Sequence, residues 1–135
     1  MLSTINICSV FSYASNNDFV AFPFYFNGKP LVEDCNPRCC LTLHQAGSMR
    51  FRWNEKNENR EKFFSRFNKQ IVPLELIHSH IVYNVDANPE MLLQKKGDGL
   101  ISINQNIIPV VTVADCVPIY LYNPETKCFG VVHSG

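Results

Sequence analysis

Ile107-Ile108-Pro109-Val110-Val111-Thr112-Val113-Ala114-Asp115-Cys116-Val117-Pro118-Ile119 is the stretch from which the fold can be read. Residues 107–113 are apolar almost throughout and rich in β-branched side chains, the pattern of a strand buried on both faces. Such a strand needs cover on each side, from helices or from a second sheet. Pro118 cannot donate to a central ladder, which puts Cys116 at a strand end or bulge, where side chains are displayed.

Outward from this strand the pattern repeats. Strands are expected over residues 71–77, 81–85, 99–103, 108–113, 119–122 and 128–132, with Asn123-Pro124-Glu125-Thr126 as the turn between the last two. Residues 5–13 and 19–26 read as two further strands joined by Asn16-Asn17-Asp18, and residues 40–44 as a short one ending near Gly47. The period changes over residues 57–67. Phe63, Phe64 and Phe67 share one helical face, Asn57 is a candidate N-cap, and Glu58 and Glu61 lie near the positive helix end. The Lys and Arg residues of this helix are expected on a solvated outer face. The fold class expected is α+β, a mixed β-sheet domain with packed helices.

A chain of 135 residues, 46% hydrophobic and 18% charged, can build one globular domain around one core. Its twelve charges of each sign leave no excess of Lys and Arg to track a phosphate backbone, so no nucleic-acid partner is expected. No apolar run approaches the roughly 20 residues that span a bilayer. The N-terminus lacks a basic start followed by an apolar stretch and a small-residue cleavage site, so no membrane association and a cytoplasmic location are expected. In that reducing compartment the six cysteines are free thiols or metal ligands.

Cys116 has His78 upstream and His133 downstream as possible co-ligands. Singly, each has an ordinary explanation: a cysteine in an apolar run is a small core residue, and a lone histidine is a satisfied imidazole. Together, one thiolate and two imidazoles make a metal-ligand set, too far apart in sequence to form a local knuckle. Two competing sets exist. His80 lies two residues from His78 and would share its face on a strand, and Cys35, Cys39, Cys40 and His44 cluster locally at spacings that match no usual ligand pair.

Ala114-Asp115-Cys116-Val117-Pro118-Ile119, Asn123-Pro124 and Gly130-Val131-Val132-His133-Ser134-Gly135 resemble the central signature of the YfiH-type family. These are the bacterial multicopper polyphenol oxidoreductase, or laccase-domain, proteins, regarded chiefly as purine nucleoside phosphorylases. Gly97-Asp98-Gly99-Leu100-Ile101, His78-Ser79 with Val82, and Asn59-Arg60 extend the likeness, which is strong from His78 onward and weak before about residue 40. The chain departs from the family pattern at Leu76, where Gln is usual, and at His44, where Arg is common.

The resemblance implies His78, Cys116 and His133 as metal ligands, in preference to His80 and the cysteine cluster. It implies zinc, with copper as the alternative, and purine nucleosides as substrates. Adenosine, inosine and S-methyl-5'-thioadenosine would be cleaved with phosphate as co-substrate, and adenosine deamination is a further implied activity. Cys116 and Asp115 are the catalytic candidates, Asp115 as acid/base. On a continuous strand Asp115 would point away from Cys116, so a structural carboxylate anchoring the loop is the other reading.

Copper-dependent phenol oxidation is the alternative function. It suits a Cys-His-His set, but reducing oxygen takes several coppers and more imidazoles than the four histidines here. The family sequence continues with Trp-Arg-Gly beyond Gly135. Residues 1–135 are therefore expected to be a single incomplete region, the amino-terminal part of a larger single domain, with an inactive fragment as the third reading. Nothing in the sequence speaks to oligomeric state.

Overall fold

In the computed structural model most of the described β-branched and aromatic residues lie in strands. The structure describes residues 2–5, 18–86 and 88–135. In chain order the elements are β1 (Leu2–Ile5), β2 (Phe19–Pro23), β3 (Tyr25–Phe26), β4 (Lys29–Pro30), β5 (Arg38–Thr42) and α1 (Glu58–Phe64). There follow β6 (Gln70–Pro73), β7 (Val82–Asn84), β8 (Gly99–Ser102), β9 (Ile107–Val111), β10 (Val117–Asn123) and β11 (Cys128–Ser134). Beyond Ile5, the strand expected over residues 5–13 lies outside the described residues, as do Asn16 and Asn17 of the turn after it.

Two sheets carry the fold, a five-stranded one in the order β2-β5-β1-β9-β6 and a four-stranded one in the order β10-β11-β8-β7. Both are mixed: β6 runs parallel to β9 and β7 parallel to β8, while the other pairs are antiparallel. β9 is buried at every position, and its period of two divides its side chains between two cores. Ile108 and Val110 pack with Phe63 and Phe64 of α1, together with Phe19 and Met49. Ile107 packs with Val72, Leu74, Val85 and Leu100, and Val111 with Val131, on the side of the second sheet. The five-stranded sheet thus lies between the helix and the other sheet, and the doubly apolar run is what allows it to lie there.

α1 begins where its sequence says. The Asn57 side chain accepts from the Arg60 amide, and Glu58 and Glu61 occupy the first turn. α1 is the one α-helix among the described residues, fewer than the packed helices expected, and two short 3-10 turns, His44–Ala46 and Pro89–Leu92, complete the helical content.

The expectation of a solvated basic face fails at Arg60. Its guanidinium is buried over the rings of Phe51 and Phe64, at 4.8 and 5.0 Å, and donates to the Met49 carbonyl at 3.0 Å and Thr112 Oγ1 at 3.1 Å. Burial pulls its pKa down to about 10. Arg60 stands one helical turn before Phe64, on the buried stripe, and its apolar stem suits that place. Lys62 is exposed, as expected, whereas the Arg66 guanidinium lies over the Phe63 ring at 4.5 Å and donates to Asp18 Oδ2 at 2.7 Å.

Pro118 lies within β10, paired with His133, instead of beyond a strand end. β10 is an edge strand, the position in a sheet that tolerates proline. The outer face of the four-stranded sheet is apolar and exposed at Val82, Val117, Ile119 and Leu121. No helix among the described residues is long and apolar enough to cross a membrane.

Candidate metal centre

The alternation of β11 sets the first candidate ligand. Val131 and His133, two residues apart, both turn inward and are buried, while the exposed strand β10 covers them from the edge. The His133 amide donates to the Asp98 carbonyl at 2.7 Å, fixing the end of β11 against the residue that precedes β8.

Asp98 is only 3% exposed, and its carboxylate is used completely. Oδ1 accepts from the His78 amide at 2.9 Å and lies 2.8 Å from His133 Nδ1. Oδ2 accepts from both the Ser79 amide and the Ser79 hydroxyl, each at 2.6 Å. Burial pushes the Asp98 carboxyl up, but the bonds from Ser79, His133 and His78 outweigh it and hold the group below the ordinary aspartate range.

His78 follows β6 in a loop and has φ +59, the left-handed region that few non-glycine residues adopt. Cys116 lies in the bend that precedes β10, with Sγ 3.6 Å from His78 Nε2. The rings of His78 and His133 stand edge to face with centroids 4.8 Å apart. One ligand atom from each of His78, Cys116 and His133 falls within 4.8 Å of the others. Exposure is graded from buried His133 through half-buried Cys116 to exposed His78, so the cluster opens to solvent on the His78 side. A Cβ at Gly135 would collide with His78 Cδ2, so a side chain there would displace the ring.

The donor set suits a transition metal. Two imidazoles and a thiolate match the borderline softness of zinc, and three protein ligands leave a position open, as in catalytic zinc sites. Cys116 would ligate as the thiolate.

His80 is exposed and outside the cluster. Cys35, Cys39, Cys40 and His44 form no such group among the described residues. Cys39 and Cys40 are consecutive in β5 and face opposite ways, both buried. Burial, and then the neighbouring Cys40, pushes the Cys39 thiol up to about 12, which disfavours the thiolate a metal needs. Asp115 precedes Cys116 in the same bend, exposed and outside the cluster. The site roles of Asp98 and Ser79 escaped the reading of the sequence. The available signal was an aspartate flanked by glycines, Gly97-Asp98-Gly99, immediately before an apolar strand.

Residues 53–135 match the family model described as multi-copper polyphenol oxidoreductase laccase. A purine nucleoside phosphorylase of Borreliella burgdorferi is 39% identical over 67 residues, covering 50% of this chain and 28% of that one. Another, of Clostridium acetobutylicum, is 38% identical over 82 residues, covering 60% and 34%. The chain thus spans roughly a third of the length of these relatives. Among solved structures, the Bacillus licheniformis hypothetical protein YfiH superposes with a TM-score of 0.50 at 25% identity, covering 57% of this chain and 33% of that one.

Proposed function

The chain belongs to the multi-copper polyphenol oxidoreductase laccase family, and from that membership we propose that it serves a metal-dependent purine nucleoside phosphorylase. The observation that carries this reading is the convergence of His78, Cys116 and His133 beside a fully bonded, buried aspartate. The names of the relatives supply the reaction class.

In this proposal His78, Cys116 and His133 hold a zinc ion. When bound, the ion supplies Lewis-acid stabilisation of negative charge at its open position. The exposed side of the cluster, at His78, is where a nucleoside and phosphate enter. Phosphate oxygen attacks C1′ of the sugar, the C1′–N9 bond breaks, and the purine leaves with the bonding electrons and takes up a proton. Asp115, exposed beside Cys116, is the proposed acid/base for that proton. Adenosine, inosine and S-methyl-5'-thioadenosine all offer this bond. Adenosine deamination, in which water replaces the C6 amine, is a further proposed reaction of the same site.

Residues 1–135 are proposed to form one region of a single larger domain. The exposure of Val82, Val117, Ile119 and Leu121 on one face of the four-stranded sheet supports this, because exposed patches of that kind ordinarily meet another surface. Copper-dependent phenol oxidation is the weaker reading. Only two of the four histidines enter the cluster among the described residues, enough for one copper and too few for a multi-copper centre.

The test is release of hypoxanthine from inosine and adenine from adenosine, with and without phosphate. It is run on the 135-residue chain and on a chimaera in which the remaining length of the Clostridium relative follows Gly135. Phosphate-dependent release that disappears in His133→Ala of the active form is expected. Full activity in that variant overturns the site, and phenol oxidation without nucleoside cleavage overturns the reaction.

A further inference from the structure

We propose that Asp98 is a positioning residue for the metal centre, a single carboxylate that sets the ring tautomer of His133 and the backbone of His78 together. The proposal rests on the metal reading of the site.

Its first basis is the contact with His133. An ionised carboxylate only accepts hydrogen bonds, so Nδ1 at 2.8 Å from Asp98 Oδ1 must carry the ring proton. In the neutral ring that leaves the Nε2 lone pair free to ligate. A carboxylate behind a ligating imidazole also raises its basicity and fixes the plane of its ring. The His133 amide, bonded to the carbonyl of the same Asp98, fixes the main chain that carries the ring.

The second basis is His78. A non-glycine residue at φ +59 persists only where its surroundings hold it. Here the consecutive amides of His78 and Ser79 each donate to a different oxygen of the Asp98 carboxylate. The Ser79 hydroxyl adds a third bond from the same loop. The two histidines arrive on different elements, His133 on β11 and His78 on the loop after β6, and Asp98 ties one to the other. Their separation is thereby set by the polypeptide before any ion arrives, which lowers the ordering that binding requires.

The experiment compares the 135-residue chain with Asp98→Asn and Ser79→Ala, using 15N-histidine NMR of the metal-free proteins and zinc affinity by chelator competition. In the parent chain His133 should be protonated at Nδ1. In Asp98→Asn the carboxamide can donate to Nδ1, so the proton should shift to Nε2, and zinc affinity should fall by about 10–100-fold. Ser79→Ala should keep the tautomer and lose affinity about threefold, within the range of one neighbouring hydrogen bond.

Loss of affinity in Asp98→Asn without a change of tautomer would mean a merely structural role and overturns the proposal. So does affinity within about twofold of the parent, a difference smaller than one hydrogen bond. If Asp98→Asn does not fold, Ser79→Ala decides: unchanged affinity there overturns the proposal. A parent chain that binds no zinc overturns the metal reading and this one with it, whereas a zinc-binding parent with an unaffected Asp98→Asn variant overturns this one alone.

Discussion

Cys116 and Cys39 are the same residue type in opposite circumstances, and the contrast separates a candidate ligand from a core thiol. Cys116 is half-buried in a bend, its sulfur facing His78 Nε2. Cys39 is enclosed in β5, where burial suppresses ionisation. Cys116→Ser should therefore fold as the parent does and lose zinc affinity by more than the roughly 10–100-fold that follows loss of an outer-shell partner. Cys39→Ser should keep the zinc and lose about 1–3 kcal/mol of stability, from a hydroxyl buried in place of a thiol. Chelator competition and urea unfolding on the two variants read both outcomes; zinc lost with Cys39 and kept without Cys116 would move the centre elsewhere.

At the level of elements, the path from β6 to His78 is held by Glu75. Its carboxylate accepts from the Trp53 amide at 3.1 Å and lies 3.1 Å from Lys96 Nζ and 3.9 Å from Arg52 Nε. The Trp53 indole donates to the Lys95 carbonyl at 2.6 Å, and the Gly97 amide to the Glu75 carbonyl at 3.1 Å. Three segments are thereby tied together just before the Asp98 clamp. The Trp53 amide, with Lys96 and Arg52 working against desolvation, holds the Glu75 carboxyl below its ordinary value of 4.5. With the folded value depressed, the unfolded chain binds the proton more readily. The contribution is present above about pH 4.5 and is lost as pH falls through the lower folded value. Urea unfolding measured between about pH 3 and pH 6 should show a steeper acid loss in the parent than in Glu75→Gln. Parallel curves would remove Glu75 from this role.

Over the whole molecule, the layers are unequal: among the described residues the five-stranded sheet is covered on both faces, the four-stranded sheet on one. Leu121 and Val131 lie on adjacent strands and opposite faces of that second sheet, one 49% exposed and the other fully buried. In the 135-residue chain Leu121→Lys should change stability by no more than about 0.5 kcal/mol and improve solubility. Val131→Lys should prevent folding, because a charge would enter the core unpaired. Equal losses in thermal unfolding would show that the outer face is covered in solution.

Much of this architecture is legible in the chain itself, since strand and helix period, the Asn57 cap and the Asn123-Pro124 turn are properties of neighbouring residues, which interact whatever the rest of the chain does. The doubly buried β9 belongs to that class: its composition alone demands cover on two sides. What covers each side is not local, and neither is the burial of Arg60, which depends on Phe51 and Thr112 arriving from elsewhere. The same holds for Pro118 inside a strand, which β10 accommodates by lying at the edge of its sheet. At the site, the sequence offered histidines and cysteines in several combinations and preferred one through resemblance. Only the tertiary structure brought His78, Cys116 and His133 within reach of one another and set Asp98 behind them. Distances between side chains far apart in sequence are decided by how the sheets pack, a long-range outcome that no local pattern encodes.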